Sequence, residues 1–412
     1  IDQYQQYLSL PLADTAERNI EVYTCLADAY RCLGQEWQAA EVCQQGLQHY
    51  PQNEILHLYR VTSLQNAGFT QAAIEAAQAA AAQFPTNPAW QFEQWRTFPL
   101  LYETTTEIDE YRDRFAHGLQ ELLQHRLDTP ESRWQAMLGI WWRTNFYLYY
   151  QCRPERDLLT QYGEYMHRVM ASIYPQWAQP LTMPSSDHNG RIRVGYVSSF
   201  FRDHVIARMM LGWLKHRDRA QFEIYSYYTG TTVDRMTHQF RQHSDRFHHP
   251  GNNLEAVCHQ MRADDLHILV FTDIGMEPLM SQLASLRLAP VQCAAWGHPV
   301  TTGIPTIDYF LSSDHMEPEN AASHYSETLI RLPNTGLCYA RPEVPPQTHT
   351  RQNFGLRPEA IVYLCSQSLF KYLPQYDYLF PAIAQQVSNA QFAFLGLQDS
   401  SIVEKFRQRL HR

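Results

Sequence analysis

The chain has 412 residues, 44% of them hydrophobic and 18% charged. That is globular composition spread over a length suited to two or three domains rather than one core. A formal net charge of -9 argues against general attachment to nucleic acid or anionic lipid. No apolar run reaches the roughly 20 residues needed to cross a bilayer, and no stretch of the given residues is expected to act as a signal peptide. The eight cysteines, at 25, 32, 43, 152, 258, 293, 338 and 365, form no C-x-x-C pair. They read as reduced thiols of a cytoplasmic protein, not as a zinc ribbon or disulfide scaffold. The first residue is Ile1, and Val403–Arg412 reads as a helix without a cap, so both ends are expected to be cut.

The first third repeats. Tyr50-Pro51 recurs as Phe84-Pro85, Gly34 as Gly68, Ala39 as Ala73 and Glu41 as Glu75, each at an offset of 34, the period of a tetratricopeptide (TPR) repeat. Tyr23, Leu26, Ala27, Tyr30, Gly34, Ala39 and Pro51 occupy the positions that pattern requires. The second copy is weaker, with His57 and Arg60 at its first two positions. Small residues let paired helices approach, Gly34 and Gly68 turn the chain, and Pro51 and Pro85 stop the second helix. Such pairs stack into a solenoid with a concave groove.

From Trp90 to about Trp177 helical patterning continues without the repeat. Its aromatic run, Trp134–Tyr150, is expected to pack between the solenoid and the next domain. Gln179–Gly190 has the prolines, serines, Asp-His-Asn and glycine of a linker.

After residue 190 strands and helices alternate. Strands are expected at Arg191–Ser199, Phe222–Tyr228, His267–Thr272, Val291–Ala295 and Thr306–Ser312, and helices at Val205–Lys215, Leu254–Ala263 and Leu279–Leu286. This predicts a parallel sheet covered by helices on both faces. A second alternation begins with a strand at Ile361–Cys365, a polar loop at Ser366–Lys371 and a helix started by Pro374. It ends with a strand at Gln391–Leu395. Ligands of such sheets bind beyond the carboxyl ends of the strands. Three loops therefore stand out: Ser198–His204, Asp273–Met276 and Trp296–Gly303.

At these loops the chain resembles the O-GlcNAc transferase and SPINDLY family, glycosyltransferase family 41, in its bacterial form. The resemblance is carried by RVGYVSSFFRDH (193–204), DLHILVFTDIGM (265–276), RLAPVQCAAWGHPVTTGIPTIDYFLSSD (287–314), YSETLIRLP (325–333) and IVYLCSQSLFK (361–371). It implies a TPR solenoid followed by an α/β GT-B-like region of Rossmann-like lobes, the second incomplete. The expected domains are TPR repeats at 1–90, a further helical segment packing on the solenoid at 91–178, an N-terminal catalytic lobe at 190–345, and the start of a nucleotide-sugar-binding lobe at 352–412.

The resemblance also implies inverting transfer from a nucleotide sugar to a protein side chain. GlcNAc is the first expectation, with glucose or fucose as alternatives, and Ser/Thr or Asn as acceptors. His204 matches the family histidine near donor and acceptor, and Lys371 the lysine that contacts the diphosphate; these are the candidate catalytic residues. Val205 stands where the family often has Pro or Ser. The candidate donor- and substrate-binding residues are Asp273, His298, Pro299, Thr301, Thr302, Gly303, Gln367 and Ser368, the last replacing a glutamine of the animal enzymes. His298 with the upstream DIGM is closer to bacterial N-glucosyltransferases. Read without the resemblance, Lys371 is a solvated lysine, a lone histidine is more often structural, and Thr301–Gly303 is a turn.

No D-x-D pair is found, and neither a metal nor another cofactor is expected; the donor, expected to be UDP-linked, is a substrate. His267 reads as core, Asp308 as a strand-end residue or a sugar ligand, and His238, His243, His248 and His249 as loop and surface residues. The expected partners are acceptor proteins gathered by the TPR groove, with no nucleic acid and no membrane. The alternative is a TPR scaffold with a vestigial transferase region. The 412-residue chain alone is expected to be inactive or nearly so.

Overall fold

The computed structural model describes residues 1, 3–5, 16–185, 190–342, 344–396 and 401–412. The centre of the expected linker, Asp187-His188-Asn189, lies outside the described residues. The chain divides into two compact units, Ile1–Leu122 with Glu343–Arg412, and Leu123–Pro342.

The first unit opens with helices α1 (Ala16–Cys32), α2 (Glu36–His49), α3 (Glu54–Asn66), α4 (Thr70–Gln83), α5 (Pro88–Glu93) and α6 (Thr105–Leu123). The repeat is geometric as well as textual. Gly34 and Gly68 take φ of 71° and 81°, the left-handed backbone that suits glycine after a helix. The next amide turns back each time: Gln35 N–H donates to the Tyr30 carbonyl and Phe69 N–H to the Leu64 carbonyl, both at 2.9 Å. Tyr50 and Phe84 close the second helices with nearly the same dihedrals. Asn53 and Asn87 then cap the helices that follow, accepting from Leu56 N–H and Ala89 N–H. Tyr23, Leu26, Ala27, Tyr30 and Ala39 form the first core with Val42, Cys43, Leu47 and Leu56. His57 fills the aromatic position of the weaker copy, edge-on to Phe84 and Trp90 at 5.7 and 5.9 Å.

The second unit begins with α7 (Pro130–Trp142) and α8 (Arg156–Ile173). Then follow β1 (Ile192–Ser198), α9 (Val205–Lys215), β2 (Phe222–Tyr228), α10 (Arg235–His243), β3 (Arg246–His248), α11 (Leu254–Ala263), β4 (Ile268–Phe271), α12 (Pro278–Ala284), β5 (Val291–Ala295), β6 (Tyr309–Ser313) and β7 (Thr328–Leu332). All seven strands pair in parallel, in the order β3-β2-β1-β4-β5-β6-β7. The core beneath α9 holds Val194, Phe201, Ile206, Met210, Ile224 and Val270.

Helix α10 and strands β3 and β7 add to the elements read from sequence. Asp234 and Thr237 start α10 with a reciprocal capping box, a signal present in the sequence. His238 and His243 thus lie on a helix rather than a loop. His248 lies on β3, where its Nε2 is 3.1 Å from the Asp264 carboxylate. His267 is buried, and its Nδ1 accepts from Arg193 N–H. Residues 123–178 cluster with the sheet. Ser285 O is 2.9 Å from His167 Nδ1 on α8, and Arg287 N–H donates to the Trp177 carbonyl. Gly163 on α8 meets Gly303 so closely that a Cβ would lie 2.1 Å from the Gly303 oxygen. The aromatic run accordingly packs within this unit, with Phe146, Tyr149 and Tyr150 against His298.

The rest of the first unit holds β8 (Ile361–Cys365), α13 (Leu379–Gln386), β9 (Ala390–Phe394) and α14 (Ser401–His411), with β8 and β9 parallel. Pro374 opens only a single 3-10 turn, Pro374–Tyr376, and the α-helix waits until Leu379. Helix α14 joins the segment to the helical array. Phe406 packs with Leu101 and Leu369. The buried Arg409 donates to both Asp377 oxygens and to the Tyr102 and Tyr372 carbonyls. Breaking such a buried pair by removing one partner costs about 3–5 kcal/mol. No described helix is long and apolar enough to cross a membrane.

Candidate functional site

In the seven-stranded sheet the chain runs from β1 out to β3, then returns to β4 on the other side of β1. The crevice at such a reversal is where parallel sheets bind ligands. The loops after β1 and β4 flank it, and the loop after β5 joins them. A Cβ on Gly297 would lie 2.0 Å from the Thr272 carbonyl oxygen and 2.7 Å from Ile206 Cδ1. Three strand ends therefore meet where α9 begins.

The β1 loop is fixed at several points. Phe201 is fully buried and stacks on Phe240 at 4.1 Å. Phe200 N–H donates to Ser198 Oγ, and Asp203 N–H to Asp234. His204 is the N-cap of α9, with Nδ1 accepting from Ile206 N–H at 3.2 Å. Val205 begins the helix without hindrance. The His204 ring stacks on Phe200 at 4.3 Å. Burial first, then the charge of Arg202, hold its pKa below the ordinary imidazole value. A neutral ring whose Nδ1 accepts carries its proton on Nε2. His204 thus presents an N–H donor.

The β4 loop carries Asp273, which is fully buried. Thr272 Oγ1 donates to it at 2.6 Å and Ser199 Oγ at 3.5 Å. Burial pushes its carboxyl up to about 6. Being enclosed, Asp273 ties the β1 and β4 loops together from beneath. Glu277, which no sequence motif marks, is raised to about 7 by burial, with the Asp273 charge adding to the shift. Gly275 has φ of 90°, and a Cβ there would lie 2.9 Å from His298 Cδ2.

The β5 loop carries His298, Pro299, Thr301, Thr302 and Gly303. His298 is buried against Tyr149 and Phe146, ring centroids 4.0 and 5.5 Å away; Pro299 is exposed. Thr301 Oγ1 donates to Glu327 Oε2 at 2.6 Å, and Thr302 donates to Oε1 through its amide (2.7 Å) and hydroxyl (2.5 Å). Gly303 packs on α8. Glu327 is therefore the anchor of this loop, and its only sequence signal was its place in YSETLIRLP. Asp308 sits at the start of β6 in a bidentate pair with Arg287 and accepts from Gln292 N–H, so it is engaged as a strand-end residue.

In the other unit, the loop after β8 brings Gln367 and Lys371 together, with Lys371 Nζ donating to Gln367 Oε1 at 3.0 Å. Ser368 precedes the short 3-10 turn Leu369–Lys371, and all three side chains are exposed. Among the described residues no three His, Cys, Asp or Glu side chains gather as a metal site.

Residues 169–341 match the model of "Glycosyl transferase family 41". The chain is 25% identical over 238 residues to "Probable UDP-N-acetylglucosamine--peptide N-acetylglucosaminyltransferase SEC" of Arabidopsis thaliana, covering 54% of this chain and 24% of the relative. To the corresponding SPINDLY protein of Solanum lycopersicum it is 31% identical over 195 residues, 43% of this chain and 20% of the relative. It thus spans a quarter or less of these relatives. A solved mutant of Thermobaculum terrenum O-GlcNAc transferase superposes with a TM-score of 0.63 at 20% identity, over 97% of this chain and 73% of that one, which shows a shared fold. The segment that matches glycosyltransferase family 41 thus holds the parallel sheet and its strand-end loops.

Proposed function

We propose that this protein transfers a sugar, GlcNAc first, from a nucleotide sugar to Ser, Thr or Asn side chains of cytoplasmic proteins gathered by the helical repeats. The observation that carries this reading is the junction of the β1, β4 and β5 loops at the sheet reversal, within the segment matched by the family. The names of the relatives support a UDP-GlcNAc donor and a peptide acceptor.

In this reading the acceptor oxygen or nitrogen bonds to the anomeric carbon while the bond from that carbon to the diphosphate breaks. The acceptor's proton passes to a phosphate oxygen of the nucleoside diphosphate as it departs. Negative charge grows on the leaving oxygen, and fixed donors there lower the barrier. His204 supplies its Nε2–H as such a donor, held in place by its cap on α9. Lys371 supplies positive charge to the diphosphate, with Gln367 orienting its ammonium. Ser368 presents its hydroxyl to the donor. Asp273 and Glu327 hold the loops, and His298, Pro299, Thr301, Thr302 and Gly303 shape the sugar and acceptor surface. The protein needs no bound cofactor.

The test is mass spectrometry of acceptor peptides after incubation of the full-length protein with UDP-GlcNAc, UDP-glucose and GDP-fucose. A mass gain of one sugar residue on a side chain, largest with UDP-GlcNAc, is expected. No gain with any donor would leave the scaffold reading in its place.

A further inference from the structure

A small crevice with a mixed polar and apolar lining lies in the second unit, between the segment joining α7 to α8 and the loops after β4 and β5. Arg143, Asn145, Tyr149, Gly275, His298 and Thr302 are among its walls. Asn145 differs from its neighbours. It is 3% exposed, yet neither its Oδ1 nor its Nδ2 meets a hydrogen-bond partner in the protein. It stands at the start of the 3-10 helix Phe146–Gln151 without capping it, although capping is the usual work of asparagine at a helix start. A buried amide with neither end satisfied costs free energy until a partner arrives.

The rim is firm. Phe146 and Tyr149 pack on His298, and Glu327 fixes Thr301 and Thr302. The space open to a water-sized sphere is about 20 Å³. One water needs about 10–15 Å³ by this measure, so the crevice admits the end of one side chain and excludes a sugar ring.

We propose that this crevice reads a primary carboxamide, an Asn or Gln side chain of the polypeptide acceptor beside the residue that receives the sugar. The inference rests on the acceptor reading given above. A carboxamide offers a donor and an acceptor in one plane, and pairs reciprocally with Asn145: its N–H to Oδ1, its oxygen to Nδ2–H. A carboxylate sets oxygen against Oδ1, an ammonium leaves Nδ2 unpaired, and an apolar side chain leaves both ends unpaired. Because no sugar fits inside, the group held there is recognised and not glycosylated. The crevice shares the β4 and β5 loops with the candidate site, on the edge of the sheet where α9 and His204 begin. Asn145 precedes the segment matched by the family model, so this reader belongs to the helical wall and not to the sheet.

The experiment measures binding without turnover. Two fluorescein-labelled acceptor peptides, identical except for one Asn or Leu beside a serine, are titrated with the full chain by fluorescence anisotropy. The Asn peptide is expected to bind about 10-fold more tightly to the wild type. Asn145→Leu, matched in size, brings the ratio to about 1 with no fall in melting temperature, since it removes two unpaired groups. Asn145→Asp, which cannot donate to the carboxamide oxygen, also loses the preference and guards against a folding defect in the first variant. Equal binding of both peptides by the wild type assigns the crevice to a bound water and overturns the proposal, as does a preference that survives both variants. A protein that binds with this preference yet transfers no sugar sinks the proposed activity alone.

Discussion

Two buried amides in the same unit behave in opposite ways. Gln292, at the foot of the β5 strand, spends its whole side chain: Nε2 donates to the Leu286 and Thr306 carbonyls at 2.9 Å, and Oε1 accepts from Leu288 N–H at 2.8 Å. Asn145, at the rim near the other end of that strand, spends none of its own. The first belongs to a closed network with Arg287 and Asp308 that sets where the strand begins. The second faces a crevice. Saturated polar groups build a fold, and unsaturated ones mark where a fold expects company.

The largest effect should come from the saturated side. Gln292→Leu strands two carbonyls and one amide in the core, and at about 1–3 kcal/mol for each orphaned group should lower stability by about 4 kcal/mol in urea unfolding. A loss no greater than that of an exposed substitution would erase the contrast.

Asp273 lies between the two cases, hydrogen-bonded but with its charge buried. Its folded pKa, about 6, lies above the ordinary carboxylate value, so the folded state holds a proton that the unfolded chain releases. Its contribution should therefore weaken stability progressively as pH rises from about 4 to about 6, by about 3 kcal/mol in all, and stay level above that. Asp273→Asn should lack this slope, so that the difference between variant and wild type carries it, measured by thermal melts across that range. A parallel pair of curves would contradict the burial argument.

A smaller effect is expected at Glu327. Replacing it by Gln keeps the shape but weakens three charge-assisted bonds from Thr301 and Thr302, for a loss of about 1–2 kcal/mol, with KM for the acceptor rising more than kcat falls. Smallest of all is Asn145→Leu, whose stability should stay within about 0.5 kcal/mol of the wild type or rise.

Much of the fold could be read from the residues because its signals are local. Gly34, Tyr50-Pro51 and their copies mark turns within a single repeat. The strands at 222–228, 291–295 and 361–365 and the helix at 205–215 stand at the bounds read from sequence, since each is an apolar run bounded by breakers. The three-residue β3 is too short to show a period, and Pro374 carries the mark of a helix start although the helix comes five residues later. The loops of the site were equally legible, as they follow strands. What joins them was not. Glu327 reaches Thr301 across an intervening strand, and the Asn145 crevice closes only when α7 and α8 fold back on β4 and β5. Such pairings depend on tertiary neighbours and leave no mark in either segment by itself.

In the proposed reaction the three strand ends form the transfer site and the His204 N–H is a working donor. The direct measurement is the initial rate of sugar transfer from UDP-GlcNAc to an acceptor peptide by the full-length protein, compared with His204→Ala. The rate should be at least about 100-fold lower in the variant, with its melting temperature close to the wild type. Equal rates in two folded proteins would contradict it.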